Sequence, residues 1–179
     1  VEQGLKSDLR IGARAYLKAG PAFFGGTLAR DIAYLGQLGQ AGGLPCPLIG
    51  GVKESNDRHK DWPRRRLGEL LGSLRGRRIA VLGLTYKPET DTLRRSEAIE
   101  LCRWLHAQGA RPQAYDPAVR RLPAELAPLI ALKPSALEAV ADAEALYLAT
   151  PWPEFSALDG DVLARRMRVW LKPDGRGGT

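Results

Sequence analysis

The segment GPAFFGGTLARD, Gly20 to Asp31, sets three glycines, a proline and two phenylalanines ahead of a helical pattern. Glycines let a backbone come close to a ligand because no Cβ bars the approach. A second loop with chemical content is GLTYKPETDTLRR, Gly83 to Arg95. There Lys87 offers a point charge for a phosphate and Tyr86 a face for a base or sugar; spacing alone equally allows a solvated loop. A dinucleotide fold would place G-x-G-x-x-G at this point. Only Gly83 is present, so this loop is not expected to bind NAD in the usual way. Asp116 closes the next apolar run, where a ribose-binding acid would sit; followed by Pro117, it equally suits a turn. Cys46, between two prolines, and Cys102, on a helix, are both expected to be buried structural thiols. Thr27 has no activating base beside it. His59 and His106 belong to no metal-spaced cluster, so no metal is expected.

The elements that must position these residues fall into two stretches. Residues 1–75 read as helical. In DIAYLGQLGQAG, Ile32, Leu35 and Leu38 recur at helical spacing, with Asp31 near the helix start. From Leu48 to about Leu74 one long basic amphipathic pattern continues through Val52, Leu67, Leu70 and Leu71, with a break expected near Trp62 because of Pro63. Its leftover apolar positions suggest pairing with a second copy, a homodimer. From Arg77 the period changes. RIAVLGL is an uninterrupted apolar run of the kind found in buried parallel strands. RPQAYD, LIAL, ALYLAT and RVWL are further strand candidates, separated by helical patterns over 96–108, 135–141 and 155–166. Strands alternating with helices predict an α/β fold, an open doubly wound parallel sheet. The expected division is a helical region, 1–75, and a Rossmann-like domain, 76–179.

The 179 residues carry 27 basic against 20 acidic side chains, a formal charge of +7. This surplus favours anionic partners. No aromatic-basic motif or DNA-reading helix accompanies it, so nucleic acid is not the expected one. No apolar run reaches the length of a membrane span. Two cysteines make no disulfide framework, and a cytoplasmic setting is the simplest expectation. Beginning at Val1 without a methionine, the chain is expected to be the interior of a longer protein or a processed one.

The runs GLKSDLRIGARAYLKAGPAFFGGTLARDIAYL and IAVLGLTYKPETDTLRRSEAIELCRWLHAQGARPQAYDP, with ADAEALYLATPWPEFSALD later, resemble the UDP-glucose/GDP-mannose dehydrogenase family from Gly4 to about Asp159. That resemblance implies an NAD-binding N-terminal domain that this chain does not match, then a helical dimerisation region and a Rossmann-like domain for the UDP moiety. It implies an NAD-dependent oxidation of a UDP-sugar primary alcohol to a carboxylate through a cysteine thiohemiacetal and thioester. The family's loop reads approximately G-P-G-F-G-G-S-C-F/L-P-K-D. Here Thr27 matches the serine, Leu28 and Ala29 the next pair, Arg30 the lysine and Asp31 the aspartate that assists proton handling, while the cysteine position is deleted. By resemblance Arg10 reaches the neighbouring subunit's sugar nucleotide, and Tyr16, Phe23 and Gly25 lie in the loop that wraps the substrate. Tyr86 and Lys87 contact the UDP side, Arg94 touches NAD, and Arg176 is a terminal nucleotide-binding arginine. Arg95 stands where the family has glutamate. Two functions follow: part of a nucleotide-sugar 6-dehydrogenase, inactive alone, or a non-catalytic dimerisation and nucleotide-sugar-binding module.

Overall fold

Glycine and proline divide the first stretch into helices: α1 (Glu2–Lys6), α2 (Gly26–Ala41), α3 (Pro47–Lys60) and α4 (Trp62–Leu71). The computed structural model describes residues 1–17, 20–24, 26–158, 169–171 and 177–178. The expected break falls at Asp61, and Pro63 sits in the first turn of α4, where its missing N–H deprives no helical bond. α2 begins at Gly26, whose φ of +76° turns the chain into the helix. Asp31 is therefore well inside α2 and not at its start. Thr27 to Arg30 carry no stop signal, so the helix takes them in, and the first turn holds no acidic residue.

The sheet follows: β1 (Arg78–Leu82), α5 (Glu97–Ala107), β2 (Arg111–Tyr115), β3 (Ala131–Leu132), α6 (Ala136–Val140), β4 (Ala145–Leu148), a 3-10 helix (Pro153–Ala157), β5 (Val169–Leu171) and β6 (Gly177–Gly178). The strand order is β3-β2-β1-β4-β5-β6. β1 to β5 pair in parallel, and β6 runs antiparallel to β5. The helix expected over 155–166 is represented by the short 3-10 turn; most of that range lies outside the described residues.

The apolar run of β1 is continuous because both of its faces are covered. Ile79 and Val81 join one core with Leu67, Leu71, Leu101, Leu105 and Tyr147. Ala80 and Leu82 join another with Ala139, Val140, Leu146 and Phe155. Leu67, Leu71 and Leu74 are thus buried against the sheet and are not leftover apolar positions. The unpartnered apolar surface lies on the α2–α3 hairpin instead, where Leu28, Tyr34, Leu35, Leu38, Leu48 and Val52 are exposed. Burying Leu67 and Leu71 alone contributes roughly 3–6 kcal/mol to anchoring α4 on the sheet.

Candidate functional site

Strand order reverses between β1 and β4, and in open α/β sheets ligands bind outside the carboxyl ends at such a point. Two loops meet there. Gly83 has φ +85°, and a Cβ on it would lie 2.6 Å from the backbone N and O of Thr150, so only glycine permits this approach. The Thr150 hydroxyl donates across the gap to Thr85 O at 2.6 Å.

Asp116 holds the junction. Its Oδ2 accepts from the N–H of Leu84 (2.6 Å) and Thr85 (2.9 Å), from the Thr85 hydroxyl (3.0 Å) and from Trp152 Nε1 (3.1 Å). Its Oδ1 accepts from Ala118 N at 2.9 Å. Asp116 is buried. Of the two readings open for it, the turn-forming one agrees with the Ala118 bond, while its remaining oxygen ties β1's loop to β2 and to Trp152. Buried and holding five donors, the carboxyl does not face solvent as a ribose-reading acid would.

The loop 20–24 closes the cleft from the helical side. Asn56 of α3 clips Phe23 with both amide atoms: Phe23 N donates to Oδ1 and Asn56 Nδ2 donates to Phe23 O, each at 2.8 Å. His59 Nε2 donates to Gly20 O at 3.1 Å. Lys60 Nζ stands 5.3 Å from the centre of the Phe24 ring, within cation–π range. The cleft has a volume of about 340 Å³ and is lined by Phe23, Phe24, Tyr86, Lys87, Glu97 and Thr150 among others. It is of a size for a small organic ligand.

Glu97, the first residue of α5, accepts a short hydrogen bond from the Tyr147 hydroxyl. Burial raises its pKa, opposed by that hydrogen bond and by the positive charges of His59 and Arg64. Burial, with the adjacent carboxylate, also raises that of Tyr147, which therefore stays a donor.

Phe23, Tyr86 and Lys87 thus come together at one cleft. Arg94 lines two neighbouring cavities, one with Arg64, Arg95 and Arg103 and the other with Gly26 and Tyr86. Arg10 does not line the cleft; it is exposed and forked onto Asp8, with Nε–Oδ1 3.0 Å and NH2–Oδ2 2.7 Å. That guanidinium holds the Asp8 carboxyl below its usual range. Tyr16 is fully exposed and stands apart from the cleft. Asp31, exposed on α2, lies 3.5 Å from Arg30 Nε and does not line it either. Gly25 and Arg176 lie outside the described residues. Cys102 is buried as expected, its thiol pushed up to about 12 by burial. Cys46 is only half-buried, because the prolines beside it leave it in the turn before α3, with its Sγ against Gly39. Among the described residues no group of His, Cys, Asp or Glu could hold a metal.

Asn56, Glu97 and Thr150 were not distinguished by the sequence. A buried asparagine on an otherwise polar helix and a first-turn glutamate read as solvated residues until their partners, 33 and 50 positions away, are in place.

The NAD group that the family resemblance implies can be tested against this sheet. The amides that face a pyrophosphate in a dinucleotide fold are spent here, Leu84 N and Thr85 N on Asp116 and Tyr86 N on Thr92 O. The sheet does not fit a dinucleotide.

Among the described residues no helix is long and apolar enough to cross a membrane. Residues 80–178 match the model of the UDP-glucose/GDP-mannose dehydrogenase family, UDP binding domain. The chain is 37% identical over 177 residues to a UDP-glucose 6-dehydrogenase of Rhizobium meliloti, covering 98% of this chain and 40% of that protein. It is 38% identical over 178 residues to UDP-glucose 6-dehydrogenase AglM of Haloferax volcanii, again covering 98% and 40%. Among solved structures, a UDP-glucose dehydrogenase from Pyrobaculum islandicum superposes with a TM-score of 0.81 at 29% identity, over 97% of this chain and 43% of that one. The chain spans about two fifths of the length of these relatives. With its parallel α/β sheet and a cleft at the point of strand reversal, the chain belongs to the UDP-glucose/GDP-mannose dehydrogenase family and carries that family's UDP-binding domain.

Proposed function

We propose that this chain is the nucleotide-sugar-holding portion of an NAD-dependent UDP-glucose 6-dehydrogenase and does not oxidise the sugar by itself. The observation that carries this reading is the meeting of Phe23, Tyr86 and Lys87 at one cleft where the strand order reverses. Lys87 supplies the ammonium for the diphosphate, and Tyr86 and Phe23 the apolar faces for the uridine. The hydride acceptor belongs to a dinucleotide-binding domain that this sheet does not replace, with Arg94 reaching towards it from the rim. No cysteine stands in GPAFFGGTLARD, so the nucleophile that the family's second oxidation requires is missing from this loop. Asp31, Arg10, Tyr16, Gly25 and Arg176 complete the proposed set, Arg10 acting on the neighbouring subunit's ligand. The division into a helical region, 1–75, and a UDP-binding domain, 76–179, goes with this reading, as does a cytoplasmic setting. The exposed apolar residues of α2 and α3 support a homodimer. A purely non-catalytic binding module is the second reading, favoured by the same missing cysteine.

Calorimetry with UDP, UDP-glucose and NAD tests the proposal. The two uridine ligands are expected to bind and NAD is not, and no NADH forms. Lys87→Ala should weaken UDP about tenfold, the effect of one lost charged contact, whereas Arg120→Ala should not. Turnover by this chain would refute the inactivity, and absence of UDP binding would refute the site.

A further inference from the structure

Charged side chains at the cleft fall into two classes. Lys87 and Arg95 are cations, and Glu97 is the only carboxylate that lines it among the described residues. None of the three has an ion-pair partner among the described residues. Of the neighbouring threonine hydroxyls, Thr85 donates to Asp116 and Thr150 to Thr85 O. Asp116, the acid at the end of β2 where a ribose would be read, is spent on five donors. Glu97 is different. The Tyr147 hydroxyl holds its Oε1 from the core side. The left-handed turn at Arg95, φ 61°, and the Ser96 cap on Ile99 N set where α5 starts and hence where this carboxyl stands. Burial disfavours its charge, opposed by the Tyr147 bond, the positive charges of His59 and Arg64 and the helix N-terminus beneath it. A ligand for this cleft must therefore bring an anion for the cations and hydrogen-bond donors for one oriented carboxylate.

We propose that Glu97 is the residue that reads the sugar hydroxyls of a phosphorylated sugar bound in this cleft, taking the part that Asp116 cannot play. This rests on the UDP site proposed above and deepens it. A carboxylate accepting from vicinal hydroxyls makes charge-assisted bonds and rejects analogues that lack them, because the carboxylate is then desolvated without a partner. Two sources of such hydroxyls exist, the ribose of the nucleotide and the hexose attached to its diphosphate, and they differ experimentally.

The test measures binding of UDP, 2′,3′-dideoxy-UDP and UDP-glucose by calorimetry to the protein and to two variants. Glu97→Leu/Tyr147→Phe removes the pair together, so no buried hydroxyl is orphaned, and Glu97→Gln keeps an acceptor for Tyr147. The unsubstituted protein should prefer UDP over its dideoxy analogue, or UDP-glucose over UDP, by about tenfold. The first preference identifies ribose and the second hexose. Whichever appears should vanish in the double variant and largely fall in Glu97→Gln, while affinity for dideoxy-UDP stays within about twofold. Absence of both preferences, or survival of one in the double variant, overturns the assignment to Glu97 and leaves the UDP site standing. Failure of UDP itself to bind removes the site and this inference together.

Discussion

Replacing Asp116 with alanine should unlock three loops at once, and the structure sets the size of the effect. Five donors converge on this buried carboxylate: Leu84 N, Thr85 N, the Thr85 hydroxyl, Trp152 Nε1 and Ala118 N. The Thr85 hydroxyl can fall back on Lys87 O, 3.2 Å away. Four N–H groups cannot, and each unsatisfied buried donor costs about 1–3 kcal/mol. Taking the lower half of that range for sites water can reach, Asp116→Ala should lose on the order of 4–8 kcal/mol, a large part of the stability of an ordinary domain. Asp116→Asn is milder. An amide oxygen in the Oδ2 position keeps four donors, but its NH2 then opposes Ala118 N–H and the charge is gone, a loss of roughly 2–3 kcal/mol. At roughly 2–4 °C per kcal/mol for a chain of this size, Asn should melt roughly 4–12 °C lower. Urea unfolding followed by tryptophan fluorescence, with calorimetry for Tm, measures both. A loss under about 1 kcal/mol for the alanine variant would mean that the carboxylate is not what joins these loops.

Other consequences are accessible to simple measurements. Because burial raises the pKa of Glu97, the folded state keeps its proton to higher pH than the unfolded chain does, so this group's contribution to stability is greatest below its ordinary value of 4.5 and declines as pH rises from there. Glu97→Gln, permanently neutral, should gain in Tm relative to the unsubstituted protein between pH 4 and pH 7, roughly the range where carboxyl groups ionise; an unchanged difference across that range would show that burial of the charge carries no penalty. With its thiol at about 12, Cys102 should be thiolate in only about one molecule in ten thousand at pH 8, by the usual titration law. Intact mass after alkylation should thus show one label on native protein, at half-buried Cys46, and a second only in denaturant; rapid double labelling of native protein would contradict the burial.

How much of this was visible beforehand varies by residue, for physical reasons. RIAVLGL announces a central strand because a strand covered on both faces needs apolar residues at every position, and Ile79 to Leu82 satisfy it. The break at Asp61 was legible through Pro63. The start of α2 was not, since Thr27 looks like a cap yet lies inside the helix, and only the backbone at Gly26 reveals where the turn is made. Leu67 and Leu71 looked unpartnered because periodicity tells which face is apolar, not what covers it. Tyr86 and Lys87 were legible as chemistry-bearing types in a loop and Phe23 through the family resemblance, and the fold brings them to one cleft. Asp116 had two open readings, a ribose-binding acid or a turn former, and its role as a hub was in neither, because the four donors on its second oxygen come from distant segments.

The Asn56 amide gives the segment around Phe23 what a neighbouring strand would give it, one donor and one acceptor, from a helix. Conformation there is consequently dictated from outside, by a side chain 33 positions further along the chain. Such an arrangement lets the approach to the cavity keep its outline when side chains along it are exchanged.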